Sequence, residues 1–368
     1  MNILVRAPNW IGDQVMAYPF FHFLRKRYPR DRIVSVCVPW VQDLQFRNLI
    51  DDVVVVRPPL EHERSLWSRL GALERVGKEL KNKGPWGLGI TLPNSFGTAW
   101  TLWRAGVEAR RGYALEGRGI LLNDARPWRE SESATFQRHR AQAYVDLLSE
   151  GDSPAPEVRG FWGTPPDNDL DPWIRGELER FPAEEAWPDV MALEPPSEPY
   201  WVLAPGATAE SRRWSEDQFA ALARRVGAET GWPGVIVGGP KEAPIAARLT
   251  ARLQGDRQAK LKDWTARGPV TSLHRLFSQA RFTVTNESGL AHVASLCGSS
   301  VQIVCGAADP RRTKPIGPGR VQVTVNAVDC WPCEKNHCSQ PEGRYLQCLK
   351  GIHERDVWDE ISKGLVRA

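Results

Sequence analysis

The chain has 368 residues, more than the ~250–300 at which a single hydrophobic core stops growing, so two domains of ordinary size are the first expectation. A quarter of the residues are charged and the net charge is only +4, with no basic stripe interleaved with aromatics; this argues against a nucleic-acid partner and leaves a weak attraction to an anionic membrane face. No basic segment followed by an apolar one opens the sequence, and no apolar run is long enough to cross a bilayer, so the expected location is the cytoplasm.

The elements follow in a regular alternation. Apolar runs "ILVRA", "IVSVCV", "VVVV" and "WGLGITL" read as strands, with helices expected at about 13–28, 66–82 and 139–149: a parallel sheet with crossover helices. From Gly151 to Pro199 the chain turns rich in Pro, Asp and Glu, with one short helix expected at 171–180. The alternation then restarts with strand "YWVLAPG", helix 215–229, strand "GVIVGG", helix 242–254, a short strand near 259–262, helix 271–280, strand "FTVTN", helix 289–297 and strand "SVQIVCG". The fold class is therefore α/β, two Rossmann-like domains facing each other across a cleft. The expected boundaries are 1–165 for the first domain, 166–199 for a Pro-rich linker, 200–350 for the second domain and 351–368 for a C-terminal helix placed across the join.

The candidate chemistry sits where strands end, since ligands of open α/β sheets bind outside the carboxyl ends of the strands. In "APNWIGDQVMAYP" Asp13 follows the first strand, and two readings stand open: an N-cap whose carboxylate accepts first-turn N–H groups, or a carboxylate that removes a proton. Trp10 in the same turn could lie against a sugar ring. In "TNESGLAHVAS" Ser288 and Gly289 open a helix whose N–H groups and dipole suit a diphosphate, and His292 stands one turn on; the alternatives are a simple cap and a surface histidine. In "APGATAESRRWSEDQF" Arg212 and Arg213 arrive just before a helix, as a departing pyrophosphate requires, or else as solvated cations. The turn "VGGPKE", with Gly238 and Glu242, permits close backbone approach to a nucleotide, but neither GxGxxG nor Walker A occurs.

Seven cysteines make an odd count for a disulfide framework. Cys37, Cys297 and Cys305 lie in apolar segments, where buried thiols are common. Cys330, Cys333, Cys338 and Cys348 are spaced C-x2-C-x4-C-x9-C, which admits reduced structural thiols, a zinc site with His337 as a substitute ligand, or a disulfide.

Taken together these pieces resemble glycosyltransferase family 9, the ADP-heptose:lipopolysaccharide heptosyltransferases, over nearly the whole chain. "APNWIGDQVMAYP" is similar to the family's N-terminal motif, "NESGLAHVAS" to its NDSGxxH motif, "PGATAESRRW" to its PGA…KRW segment and "GAADPRRTKP" to its late G-x-x-DP-x-x-T-x-P loop. "PCEKNHCSQPEGRYLQCL" resembles a cysteine-containing tail common among these proteins, to which Cys330 is an addition. The chain departs from the pattern at Arg212, where Lys is usual, at Glu287, where Asp is usual, and at Ala307 and Ala308.

The resemblance implies a GT-B fold and an inverting transfer of heptose from ADP-heptose to the inner core of lipopolysaccharide. It makes Asp13 the general base and assigns Asn9, Trp10 and Gly12 to the acceptor. Gly206, Arg212, Arg213, Gly238, Glu242, Glu287, Ser288, Gly289 and His292 go to the donor. No cofactor is required beyond the ADP-sugar donor, and no catalytic metal is expected. The partners are the nucleotide sugar and a lipid-A core acceptor, with peripheral contact at the cytoplasmic face of the inner membrane compatible with both. The alternatives left open are a relative using another nucleotide sugar or acceptor, a sugar epimerase of the same plan, and an inactive sugar-nucleotide-binding protein.

Overall fold

The computed structural model describes residues 1–57, 66–128, 138–149, 156 and 180–365. The chain forms two compact units, Met1–Val158 with Glu184–Pro188, and Arg159–Ala183 with Asp189–Ala368.

Six strands build the first unit: β1 Asn2–Arg6, β2 Arg32–Cys37, β3 Asp52–Val55, β4 Leu88–Thr91, β5 Ala109–Tyr113 and β6 Asp124–Arg126. Their order is β3-β2-β1-β4-β5-β6, and every neighbouring pair is parallel. The second unit repeats the plan with β7 Trp201–Ala204, β8 Gly234–Ile236, β9 Leu261–Asp263, β10 Thr283–Asn286, β11 Val301–Cys305 and β12 Val321–Val325, again all parallel, in the order β12-β11-β10-β7-β8-β9. Central strands covered on both faces must be apolar throughout, which is why Ile3, Leu4 and Val5 of β1 are all fully buried. In each sheet the order of strands reverses at one place, between β1 and β4 and between β7 and β10. The crevice outside the strand ends at such a point is where doubly wound sheets hold ligands.

Three strands escape the sequence reading. β5 reads ARRGY, and its polar pattern is tolerated because Arg111 is buried against Asp124 of β6 at 2.6 Å and donates to the carbonyl of Leu147 at 3.1 Å. β6 has three residues, too few for a pattern, and β12, VQVTV, is an edge strand exposed toward its end. The expected helix at 171–180 lies outside the described residues apart from Arg180.

Two expectations about the joints are corrected. Glu184–Pro188, inside the expected linker, belongs to the first unit: Trp187 is buried and the Ala186 carbonyl accepts from the Arg47 N–H at 3.0 Å. The last helix, Glu354–Leu365, is no separate element but belongs to the second unit. Its apolar face, Val357, Trp358 and Ile361, is part of the second unit's core with Phe219 and Val226 of helix Glu216–Thr230.

Much of the tryptophan content is core. Trp86, Trp187 and Trp201 are among the largest fully buried side chains, and Trp201 stacks on Phe282 with ring centroids 5.7 Å apart. Among the described residues no helix is long and apolar enough to cross a membrane.

Candidate active site

At the reversal point of the first sheet, β1 ends at Arg6, whose guanidinium turns back under the following loop. It donates to the carbonyls of Ala7 (2.7 Å) and Val36 (3.0 Å) and to Asn9 Oδ1 (2.7 Å), so Asn9 is held by a buried cation. Burial lowers the pKa of Arg6 to about 10, against the opposing pull of Cys37, which still leaves it charged at neutral pH.

The helix Ile11–Met16 starts after Trp10, which occupies the N-cap in extended backbone without a side-chain cap bond. Asp13 is the third helical residue, so the capping reading is corrected: its carboxylate faces the positive end of the helix from inside the first turn. Gly12 precedes it within the same turn.

Tyr144, on helix Arg140–Asp146, is a partner that no sequence motif singles out. Its hydroxyl lies in hydrogen-bonding reach of both Asp13 and Arg140. Burial first, and the charge of Asp13 second, push its ionisation well above the usual phenol value, so it remains a donor facing the carboxylate. Across the reversal point, Arg118 is fully buried and ties down the loop after β4. It donates to Asn94 Oδ1 at 2.9 Å, to the Tyr113 carbonyl at 2.7 Å and to the Pro93 carbonyl.

At the corresponding point of the second sheet the donor candidates converge. The turn after β7 carries Gly206, and a Cβ there would stand 2.5 Å from Cγ of Glu242; one on Gly238 would stand 2.7 Å from Glu242 Cβ. The two glycines thus make room for one acidic side chain at the edge shared by β7 and β8. Farther along, Arg212 closes a 3-10 turn, Glu210–Arg212, and its guanidinium meets Glu287 Oε2 at 2.7 Å. The Glu287 side chain is 10% exposed and that of Arg212 32% exposed, so the pair sits at a protein edge with the cation turned outward. Asn286 joins the two loops from beneath, accepting from the Trp214 N–H at 3.0 Å and donating to the Pro205 carbonyl at 2.6 Å.

Ser288 occupies the N-cap of helix Gly289–Leu296, yet its hydroxyl makes no cap bond and meets Thr285 Oγ1 at 3.2 Å. The first-turn N–H groups are therefore not capped by this side chain, as an anion site requires. His292, expected either at the helix mouth or on the surface, is buried at 4% exposure one turn into the helix. Arg213 donates to the carbonyls of Ala207 (2.6 Å) and Thr208 (2.9 Å), which bends its own loop and leaves Arg212 as the cation beside Glu287. In the late loop Asp309 is buried in a two-point pair with Arg311 at 2.8 and 2.7 Å, a structural clamp.

Cys330, Cys333, Cys338 and Cys348 line one small cavity together with Ser211 and Ala307. All four thiols are free, and among the described residues no three His, Cys, Asp or Glu side chains are placed to hold a metal ion. What the tail visibly does is support the Arg212 turn. The Ser211 N–H donates to the Asn336 carbonyl at 3.2 Å, Ala307 accepts from the Glu334 N–H at 2.9 Å, and Glu210 is bonded by Tyr345 and His337.

Two doubly wound sheets, with a carboxylate at one reversal point and an arginine beside a helix start that Ser288 does not cap at the other, offer strand-end crevices suited to a ligand that carries a diphosphate. The comparison with known families makes this specific. Residues 73–343 match the family model for glycosyltransferase family 9 (heptosyltransferase), and the chain belongs to that family. It is 26% identical over 369 residues, the full length of both chains, to lipooligosaccharide heptosyltransferase 2 of Haemophilus influenzae. It is 27% identical over 320 residues, 86% of each chain, to lipopolysaccharide heptosyltransferase 2 of Escherichia coli. The solved structure of E. coli ADP-heptose lps heptosyltransferase II superposes with a TM-score of 0.72 at 22% identity, covering 100% of this chain and 99% of that one. The fold is accordingly the GT-B fold of the heptosyltransferase structures, and the protein is a glycosyltransferase.

Proposed function

We propose that this glycosyltransferase moves heptose from ADP-heptose to the inner core of lipopolysaccharide, with inversion at the anomeric carbon. The observation that carries the reading is the Arg212–Glu287 pair beside the open mouth of helix Gly289–Leu296, at the strand-order reversal of the second sheet.

Asp13 accepts the proton of an acceptor hydroxyl as that oxygen attacks the anomeric carbon. The bond from that carbon to the diphosphate oxygen breaks on the opposite face and ADP departs. Charge grows on the leaving diphosphate, where Arg212, the N–H groups at Ser288 and Gly289, and His292 stabilise it. Glu242, in the space the glycines open, accepts from donor hydroxyls. Asn9, Trp10 and Gly12 belong to the acceptor side. The diphosphate finds its positive charge in the protein, so the reaction needs no added cofactor. The acceptor carries lipid, which favours work at the cytoplasmic face of the inner membrane.

The two departures that point to a different donor sugar, Arg212 and Glu287, turn out to be partners of one ion pair. An arginine in place of the usual lysine and a glutamate in place of the usual aspartate still place opposite charges in contact, so the departures taken together keep the local charge balance and do not by themselves call for another donor.

Purified protein incubated with truncated lipopolysaccharide and, in turn, ADP-heptose and other nucleotide sugars tests it by product analysis. Heptosylated lipopolysaccharide formed from ADP-heptose alone is the expected result. Transfer only from another nucleotide sugar, or turnover of the nucleotide sugar without acceptor, overturns it.

A further inference from the structure

The tryptophans of the first unit range from buried to exposed. While Trp86 and Trp187 are buried, Trp10 is 64% and Trp40 55% exposed, and both stand on loops leaving the carboxyl ends of adjacent parallel strands. Trp10 follows β1 and Trp40 follows β2, so the two indoles lie on the sheet edge that carries Asp13, three residues beyond Trp10. Trp40 is also fixed to that edge, because its indole N–H donates to the carbonyl of Asn9. Asn9 is in turn held through its side chain by buried Arg6.

We propose that Trp40, with Trp10, forms the platform on which a sugar ring of the acceptor stacks. This rests on the reading of Asp13 as the base that activates that acceptor. An exposed indole loses favourable burial, and a ring whose only polar hydrogen is already engaged has nothing to offer a ligand but its π face. The ligand that fits such a face, beside a base for hydroxyl protons, is a pyranose ring: C–H groups on one side for the indole and hydroxyls at the rim for Asn9 and Asp13. Trp40 is thereby a binding residue that holds the acceptor in register with Asp13, and takes no part in proton transfer.

The test uses the full-length enzyme, ADP-heptose and a delipidated core oligosaccharide as acceptor, so that a sugar contact is read apart from a lipid contact. Trp40→Ala is expected to raise the acceptor KM about tenfold, the scale of one aromatic stacking contact, with kcat within about twofold and ADP affinity unchanged. Trp40→Phe, which keeps a ring and loses the N–H bond, is expected to stay within about threefold of wild type in KM. If Trp40→Ala weakens use of intact truncated lipopolysaccharide but not of the oligosaccharide, the indole meets lipid and the proposal is wrong. If Trp40→Phe is as impaired as Trp40→Ala, the side chain serves only to pin Asn9, and the proposal is again wrong. Asp13→Asn assayed beside them separates the two claims, since near-normal transfer by that variant removes the base reading whatever Trp40 does.

Discussion

Replacing Asp13 by Asn separates structure from chemistry at the first reversal point. Since Trp10 and not Asp13 holds the N-cap position, the substitution leaves the cap residue in place. It removes one negative charge from the first turn, an interaction worth about 0.3–1 kcal/mol, and the amide oxygen still accepts from Tyr144. The melting temperature should therefore fall by a few degrees at most. ADP affinity should not change, because the residues assigned to the nucleotide lie in the second unit. The amide cannot take the acceptor's proton, however. Loss of general-base assistance slows transfer by about 10²–10⁴-fold, or about 2.7–5.4 kcal/mol of barrier, several times the stability cost. Thermal melts, calorimetric titration with ADP and initial rates at saturating donor and acceptor give the three numbers on one variant. Transfer within about threefold of wild type refutes the reasoning, and the base must then be sought on another side chain of the strand-end loops.

Arg212→Ala should weaken ADP binding by about 10–100-fold, the worth of a charge-assisted hydrogen bond to phosphate, and should also destabilise the fold because it leaves Glu287 buried without its arginine. The double variant Arg212→Ala with Glu287→Gln should regain stability and not ADP affinity, and calorimetry with melting curves checks both halves. Glu354 is held below its ordinary value of 4.5, chiefly by its hydrogen bond from Arg225. A depressed carboxylate contributes stability above its unfolded value and loses it as pH falls through the folded one. Glu354→Gln should thus lower the melting temperature at pH 7, with a difference that shrinks below about pH 4.5 and vanishes in stronger acid. On the proposed mechanism, in which Arg212 and a helix mouth meet the leaving diphosphate, turnover should survive a chelator that leaves circular dichroism unchanged; lost activity in a folded, chelated enzyme contradicts that mechanism.

How much of this was legible in the sequence depended on how local each signal is. Central strands are continuous apolar runs, and most of each Rossmann-like unit can be drawn from them. β5 could not be, because what allows Arg111 into a strand is Asp124 on a strand not yet known to exist. The strand-end motifs were legible for a related reason: a turn, a glycine and a helix start are consecutive residues, so Asp13 and Ser288–Gly289 are seen without the fold. The buried surroundings of those motifs are not consecutive. Tyr144 meets Asp13 from a helix more than a hundred residues on, and Asn286 fastens the loop of Pro205 from another strand. The same limit explains Arg212 and Glu287. Read one position at a time, each departs from the family pattern and weakens the assignment of the donor; folded, they are in contact at 2.7 Å, and the longer acid reaches the guanidinium. A charge pair has to be judged as a pair, since the free energy of each partner in a half-buried site is fixed by whether the other is there. The departures therefore leave this edge of the second unit with its net charge intact, and under the proposed reading the choice of sugar falls to groups that touch it rather than to this pair.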